Sequence, residues 1–181
     1  MWKKHQTSTS SWIWREFSGK NLVRFFITPK VKSKQLNRNI PCWRDCGALN
    51  ADHSHVFWEC DKITQFWKII HITLLEVLGY AVPLSCTILY FCNLYEGNVQ
   101  QKDRYLIKIL LIAGKKAITK KWGKPDPPTQ DQWLDIIEGI YVMERLTHRL
   151  HLQETQFQEK WEKWTVYTGQ RQTSQKGQST E

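Results

Sequence analysis

Four residues in the first third of the chain have the types and spacing of metal ligands. Cys42, Cys46, His55 and Cys60 follow the pattern C-x3-C-x8-H-x4-C. Three thiolates and one imidazole suit a tetrahedral Zn²⁺, and four such ligands close the coordination shell. Gly47, directly after the second cysteine, lets the backbone turn tightly around an ion. With no open position, one structural Zn²⁺ would supply folding energy rather than Lewis-acid chemistry. His53 is a competing ligand, giving C-x6-H and then six residues to Cys60. The compact four-residue gap to the last cysteine favours His55. Cys86 and Cys92 lie in an apolar run and read as buried free thiols.

Other chemistry finds little support, and no catalytic residue is expected. A Cys/His nucleophile needs one activated thiolate, and clustered cysteines are better explained by metal. Asp131 and Asp135 are four apart on an expected helix, with Asp126 nearby. Acidic residues early in a helix have a plainer explanation in its dipole. No glycine loop of the phosphate-cradling kind is present.

The charge points to a polyanionic partner. The 181 residues carry a formal net charge of +9. Residues 1–44 hold ten basic side chains and one acid, so the whole excess sits there and the remainder is neutral. Aromatic residues are interleaved with this charge: Trp12, Trp14, Phe17, Phe25, Phe26 and Trp43. Lysines and arginines hold phosphates while rings stack on unpaired bases. Lys30, Lys32, Lys34, Arg38, Trp43 and Arg44 are the expected contacts to RNA or single-stranded DNA. Trp43, Phe57 and Trp58 read equally well as the knuckle's own small core.

Residues 1–20 have no apolar run of the signal-peptide kind, which argues against secretion and a disulfide framework. An intracellular location, nuclear or in a cytoplasmic ribonucleoprotein, is expected. The uncharged stretch from Val77 to Cys92 contains Pro83 and is shorter than the roughly 18–20 apolar residues that span a bilayer. Neither a membrane nor a small-molecule substrate is expected as a partner.

The elements that must position these residues follow from periodicity. Residues 1–20 read as a ragged polar start with a short helix, and 21–41 as an extended basic arm around Thr28-Pro29. Asp61 is a plausible N-cap. Ile63, Phe66, Trp67, Ile70, Leu74, Leu75 and Leu78 give one apolar helical face over 61–78, ended by Gly79. Residues 80–99 read as a connection with a buried extended segment. Residues 101–122 form a helix apolar on most sides, hence a central one. Thr129 and Gln132 make a capping box. A helix follows to about Leu152, with Trp133, Ile136, Ile137, Ile140, Tyr141, Met143 and Leu146 on its apolar positions. Phe157, Trp161, Trp164 and Tyr167 mark a fourth pattern, and 168–181 is polar enough for disorder. The expected fold is mainly α: a basic arm (1–41), a zinc-knuckle loop (42–60), a bundle of three to four helices (61–168) and a disordered tail (169–181).

Several separated motifs carry a family resemblance. The Cys42-Trp-Arg-Asp-Cys-Gly opening and the His55-Val-Phe-Trp-Glu-Cys close are two of them. Others are Phe25-Phe-Ile-Thr-Pro29, Tyr105 to Ala113, Lys115 to Trp122, Pro128 to Trp133 and Tyr141 to Thr147. In this order they resemble the C-terminal cysteine-histidine region of LINE-type (non-LTR) retrotransposon reverse transcriptases, over roughly residues 10–168. The gap to His55 is eight residues where that family more often has seven, so His53 stays beside His55 as an alternative. The resemblance implies a region that helps hold template RNA or target DNA at the end of a longer protein with endonuclease and polymerase. It also implies that this chain, with no segment matching the polymerase aspartates, is a non-catalytic piece. It would bind nucleic acid, dock on the parent polymerase, or persist as a non-functional remnant.

Overall fold

The computed structural model describes residues 11–95 and 99–178. Its helices are α1 (Trp12–Leu22), α2 (Pro29–Leu36), α3 (Asp61–Leu78), α4 (Cys86–Leu89), α5 (Arg104–Lys120), α6 (Gln130–Leu150) and α7 (Glu154–Gln178). A π-helical turn spans His55–Glu59 and a 3-10 turn spans Gln101–Asp103. The described residues contain no strand, only an isolated bridge between Pro41 and Leu49. No helix among them is long and apolar enough to cross a membrane.

The mainly helical class agrees with the hydrophobic periodicity. α5 is the central helix, because eleven of its residues, from Leu106 to Ile118, are buried. The close approach of α3 to α5 depends on Gly114: a Cβ there would lie 2.7 Å from Ile70 Cδ1. On α3 the inward face is Ile63, Phe66, Trp67, Ile70 and Leu74, while Leu75 points outward. α6 starts at the expected capping box, with Thr129 accepting from Gln132 N–H and Gln132 answering to Thr129 N–H. Its indole Trp133 donates to the Leu110 carbonyl at 3.0 Å and so braces α6 on α5. Met143 and Leu146, expected on the inner face, are exposed. α7 turns back on α6 after Leu152, which has a φ of 56°. Phe157 and Trp161 then meet Tyr141 at 5.2 and 5.1 Å.

Two buried polar nodes tie the bundle ends together. Glu144 on α6 accepts from Tyr105 Oη at 2.6 Å and from Trp161 Nε1 at 3.0 Å. Asp103, also buried, accepts from Tyr80 Oη at 2.9 Å and pairs with Lys163 Nζ at 2.8 Å. Lys163 donates to the Leu78 carbonyl as well, so α7 holds the end of α3 through one ammonium group.

Three expectations about local structure are corrected. The stretch 21–41, expected to be extended, contains α2: Thr28 Oγ1 accepts from Val31 N–H, and Pro29 takes the first helical position. There a missing N–H costs nothing and the fixed φ suits the helix. Asp61 is the first residue of α3, and Cys60 is its N-cap. The connection 80–99 contains the short helix α4 in place of an extended segment, with Ser85 Oγ accepting from Ile88 N–H. α7 runs as far as Gln178, and residues 179–181, the end of the expected tail, lie outside the described residues. So do residues 1–10, where the ragged start was expected.

The arm is anchored to the rest of the molecule. Lys30 N–H donates to the Ala51 carbonyl at 3.1 Å. Trp122 Nε1, just past α5, donates to the Ile27 carbonyl at 3.0 Å. Phe26 fills the space between, 5.9 Å from Phe57 and 5.2 Å from Trp122.

Candidate metal centre and basic cleft

The loop from Pro41 to Cys60 folds in two halves, each presenting two ligands. In the first half Cys42 N–H donates to the Ala48 carbonyl and Asp45 N–H donates to the Cys42 carbonyl. Asp45 and Gly47 both take positive φ, at 52° and 79°. These left-handed residues flank Cys46 and turn the chain around it; glycine accepts the conformation freely and Asp tolerates it. The second half begins at Asp52, whose Oδ1 accepts from His55 N–H at 3.2 Å. The π-helical turn then winds five residues per hydrogen bond, and Cys60 N–H reaches the His55 carbonyl at 3.0 Å. This wide wind explains the x4 spacing, because it lays residue 60 over residue 55. Such turns are rare and frequent at functional sites.

The four ligand atoms, one each from Cys42, Cys46, His55 and Cys60, all lie within 4.8 Å of one another. Cys46 Sγ is 3.3 Å from His55 Nε2. A tetrahedral zinc with bonds of about 2.3 Å to sulfur and 2.0 Å to nitrogen places neighbouring ligand atoms roughly 3.5–3.8 Å apart. The group can therefore hold one metal ion with a small contraction. Cys42 and Cys60 are buried, while Cys46 and His55 are half-buried on the outer side.

The protons also fit. Burial pushes the Cys42 thiol up to about 11, against a lowering hydrogen bond from Arg44 N–H, and the neighbouring sulfur charges add to the rise. Burial likewise acts to raise Cys46, but the Ala48 N–H and the thiols of Cys42 and Cys60 outweigh it and hold Cys46 below its ordinary value. Three adjacent sulfurs cannot all carry charge without a cation. His55 is held below its usual range, first by burial, which keeps the imidazole neutral as a ligand must be.

His53 belongs elsewhere. It is buried against Phe57, with ring centroids 4.6 Å apart, and its Nδ1 lies 3.3 Å from Tyr90 Oη. Burial, then the Arg24 charge, pushes it down to about 4. Of the two histidines considered, only His55 joins the cluster.

Arg44 corrects the reading of the basic contacts. Its side chain is fully buried, with Nη1 donating to the Val56 carbonyl at 3.0 Å, so it offers nothing to an external phosphate. Trp43 is half-buried with its ring 4.9 Å from Trp122, and Phe57 is fully buried. Trp58 lies on Trp67 at 5.7 Å. These three rings make a small core between the knuckle, the arm and α5. Cys86 and Cys92 are free thiols, half-buried rather than buried.

The remaining basic residues stay outside. Lys30, Lys32, Lys34 and Arg38 are all exposed. Lys30, Lys34 and Arg38 line a cleft of about 510 Å³ together with Ser33, Asn37, Asn39 and Asn50. Lys30 also pairs with Asp52 at 3.3 Å, which ties it to the loop before His55. The asparagines were missed in the sequence; Asn37 and Asn50 both have positive φ, at 46° and 56°, and their turns close the cleft. A second cleft of about 320 Å³, between α1 and the end of α5, is lined by Lys20, Lys116, Lys120, Phe25 and others. No protein-family model matches the chain.

Proposed function

We propose that the chain is a non-catalytic, zinc-binding module that holds RNA or single-stranded DNA, and that it derives from the C-terminal region of a LINE-type retrotransposon reverse transcriptase. The observation that carries this reading is the juxtaposition of a four-ligand Cys/His cluster with the cleft of Lys30, Lys34 and Arg38. α2 bears Lys30 and Lys34, with Arg38 just past its end, and its first residues are bound to the loop that presents His55. Zinc would fix that loop and hence the cleft. The cations would neutralise phosphates, and the asparagine amides would meet sugar or base edges. Phe25, 62% exposed beside Lys20, supplies a ring for stacking. Four ligands leave the ion no open position for a substrate, in keeping with a structural role.

The test is binding of a labelled single-stranded RNA across a salt series. Affinity should fall steeply with salt, and reversing Lys30, Lys32 and Lys34 to Glu should weaken it and flatten the salt slope. Each lost phosphate contact should lower that slope by about 0.7. Salt-independent binding, or none at low salt, would overturn the proposal. A second reading, docking on the parent polymerase, is favoured by the exposed apolar residues Val142, Met143, Leu146 and Leu150 along α6. Retention of the polymerase after nuclease treatment would select it.

A further inference from the structure

Arg44 stands between two of the cysteine ligands and is 0% exposed. A buried guanidinium needs an anion, since an unpaired buried charge is among the costliest features a fold can carry. Among the described residues no carboxylate lies within ion-pair distance of it. Nη1 donates to the Val56 carbonyl, the Cys60 sulfur is a further hydrogen-bond partner of the guanidinium, and Nε and Nη2 are buried without a nitrogen or oxygen acceptor. The charged groups that act on it most favourably are the sulfurs, Cys60 foremost, then Cys42 and Cys46. Three thiolates, a divalent ion and a neutral imidazole sum to a charge of minus one. We propose that Arg44 is the built-in counter-cation of the metal centre, a positioning residue that makes the buried cluster electrically neutral and aims its free N–H groups at the metal-bound sulfurs.

This inference rests on the metal reading above and accounts for two observations that reading leaves open. Arg44 has buried donors that no nitrogen or oxygen atom satisfies, and thiolate sulfur would satisfy them. It is also the one Lys or Arg between Cys42 and Cys60. A fixed positive charge beside thiolate sulfur draws electron density from it and blunts its nucleophilicity. Arg44 would therefore both tighten the metal and protect its ligands from alkylation and oxidation. Partners of this outer kind typically change metal affinity by 10–100-fold.

The experiment is a double-mutant cycle in zinc affinity, measured by competition with a chromophoric chelator on the full chain. The variants are Arg44→Met, Arg44→Lys, Cys46→His, and Cys46→His combined with Arg44→Met. A two-cysteine, two-histidine centre is neutral with Zn²⁺ and needs no counter-cation. Arg44→Met should weaken zinc by 10–100-fold in the native ligand set and speed iodoacetamide alkylation of the zinc-loaded protein. Arg44→Lys should recover part of the loss. In the Cys46→His background the effect of Arg44→Met should shrink severalfold. If Arg44→Met unfolds the native set yet folds with zinc in the Cys46→His background, the inference is supported. Equal losses in both backgrounds, failure to fold in both, or no loss in the native set would overturn it and leave Arg44 as packing alone. Wild type that binds no zinc would instead overturn the metal reading itself.

Discussion

His53 and His55 share a side-chain type and sit two residues apart, yet they face different surroundings. His55 points its Nε2 at Cys46, and His53 stacks on Phe57 beneath Tyr90. Elemental analysis should find one zinc per chain in wild type and in His53→Ala, and a large loss in His55→Ala and Cys46→Ser. His53→Ala should lower stability by roughly 1–3 kcal/mol through lost packing while keeping its metal. Zinc lost with His53 and kept without His55 would reverse the assignment. At this scale the ligands were legible because thiolates and imidazole at these spacings have few other uses. Arg44 was misread because a charge in a sequence defaults to the surface. Only the burial of the thiolates beside it reveals that it is needed inside.

α3, α5 and α6 were legible because each buries a stripe whose 3.6-residue period shows directly in the chain. α2 was not, since its apolar positions are few and it is held by a cap, a proline and contacts to the knuckle. α4 was missed for a related reason: a β-branched run suggests extended chain, but Ser85 caps it and Lys115 Nζ binds the Tyr90 carbonyl at 3.0 Å. Contacts made by distant residues leave no local period. The Tyr80 node shows how such contacts act between elements. Burial, then the hydrogen bond to Asp103, raises the Tyr80 hydroxyl from 10.0 to about 12. A group raised on folding stabilises fully below its unfolded value and loses that contribution as pH climbs through the folded one. The end of α3 should therefore loosen between about pH 10 and 12. Tyr80→Phe should cost about 1 kcal/mol at pH 8 by urea unfolding. It should also lose less stability than wild type over that alkaline window; parallel curves for the two proteins would contradict the assignment.

The whole molecule is braced by indoles. Trp67 donates to the Phe57 carbonyl, Trp133 to Leu110, Trp161 to Glu144 and Trp122 to Ile27. Four of the nine described tryptophans thus use the indole N–H to join separate segments. The division into arm, knuckle and bundle was read from composition. Their joining was not, because the bond between Trp122 and Ile27 spans 95 residues of sequence.

The Trp43–Trp122 pair, one ring from the knuckle and one from the end of α5, has a consequence for how the protein can be watched. Two indoles 4.9 Å apart at 56° are strongly coupled transition dipoles, and they should give an exciton couplet in circular dichroism. Because Trp43 follows Cys42 directly, removing the ion with a chelator should erase that couplet while the α5–α6–α7 helical signal largely persists. A couplet indifferent to chelation would mean the loop keeps its shape without metal. A couplet lost on chelation would make this pair an unlabelled optical gauge of metal at the cluster.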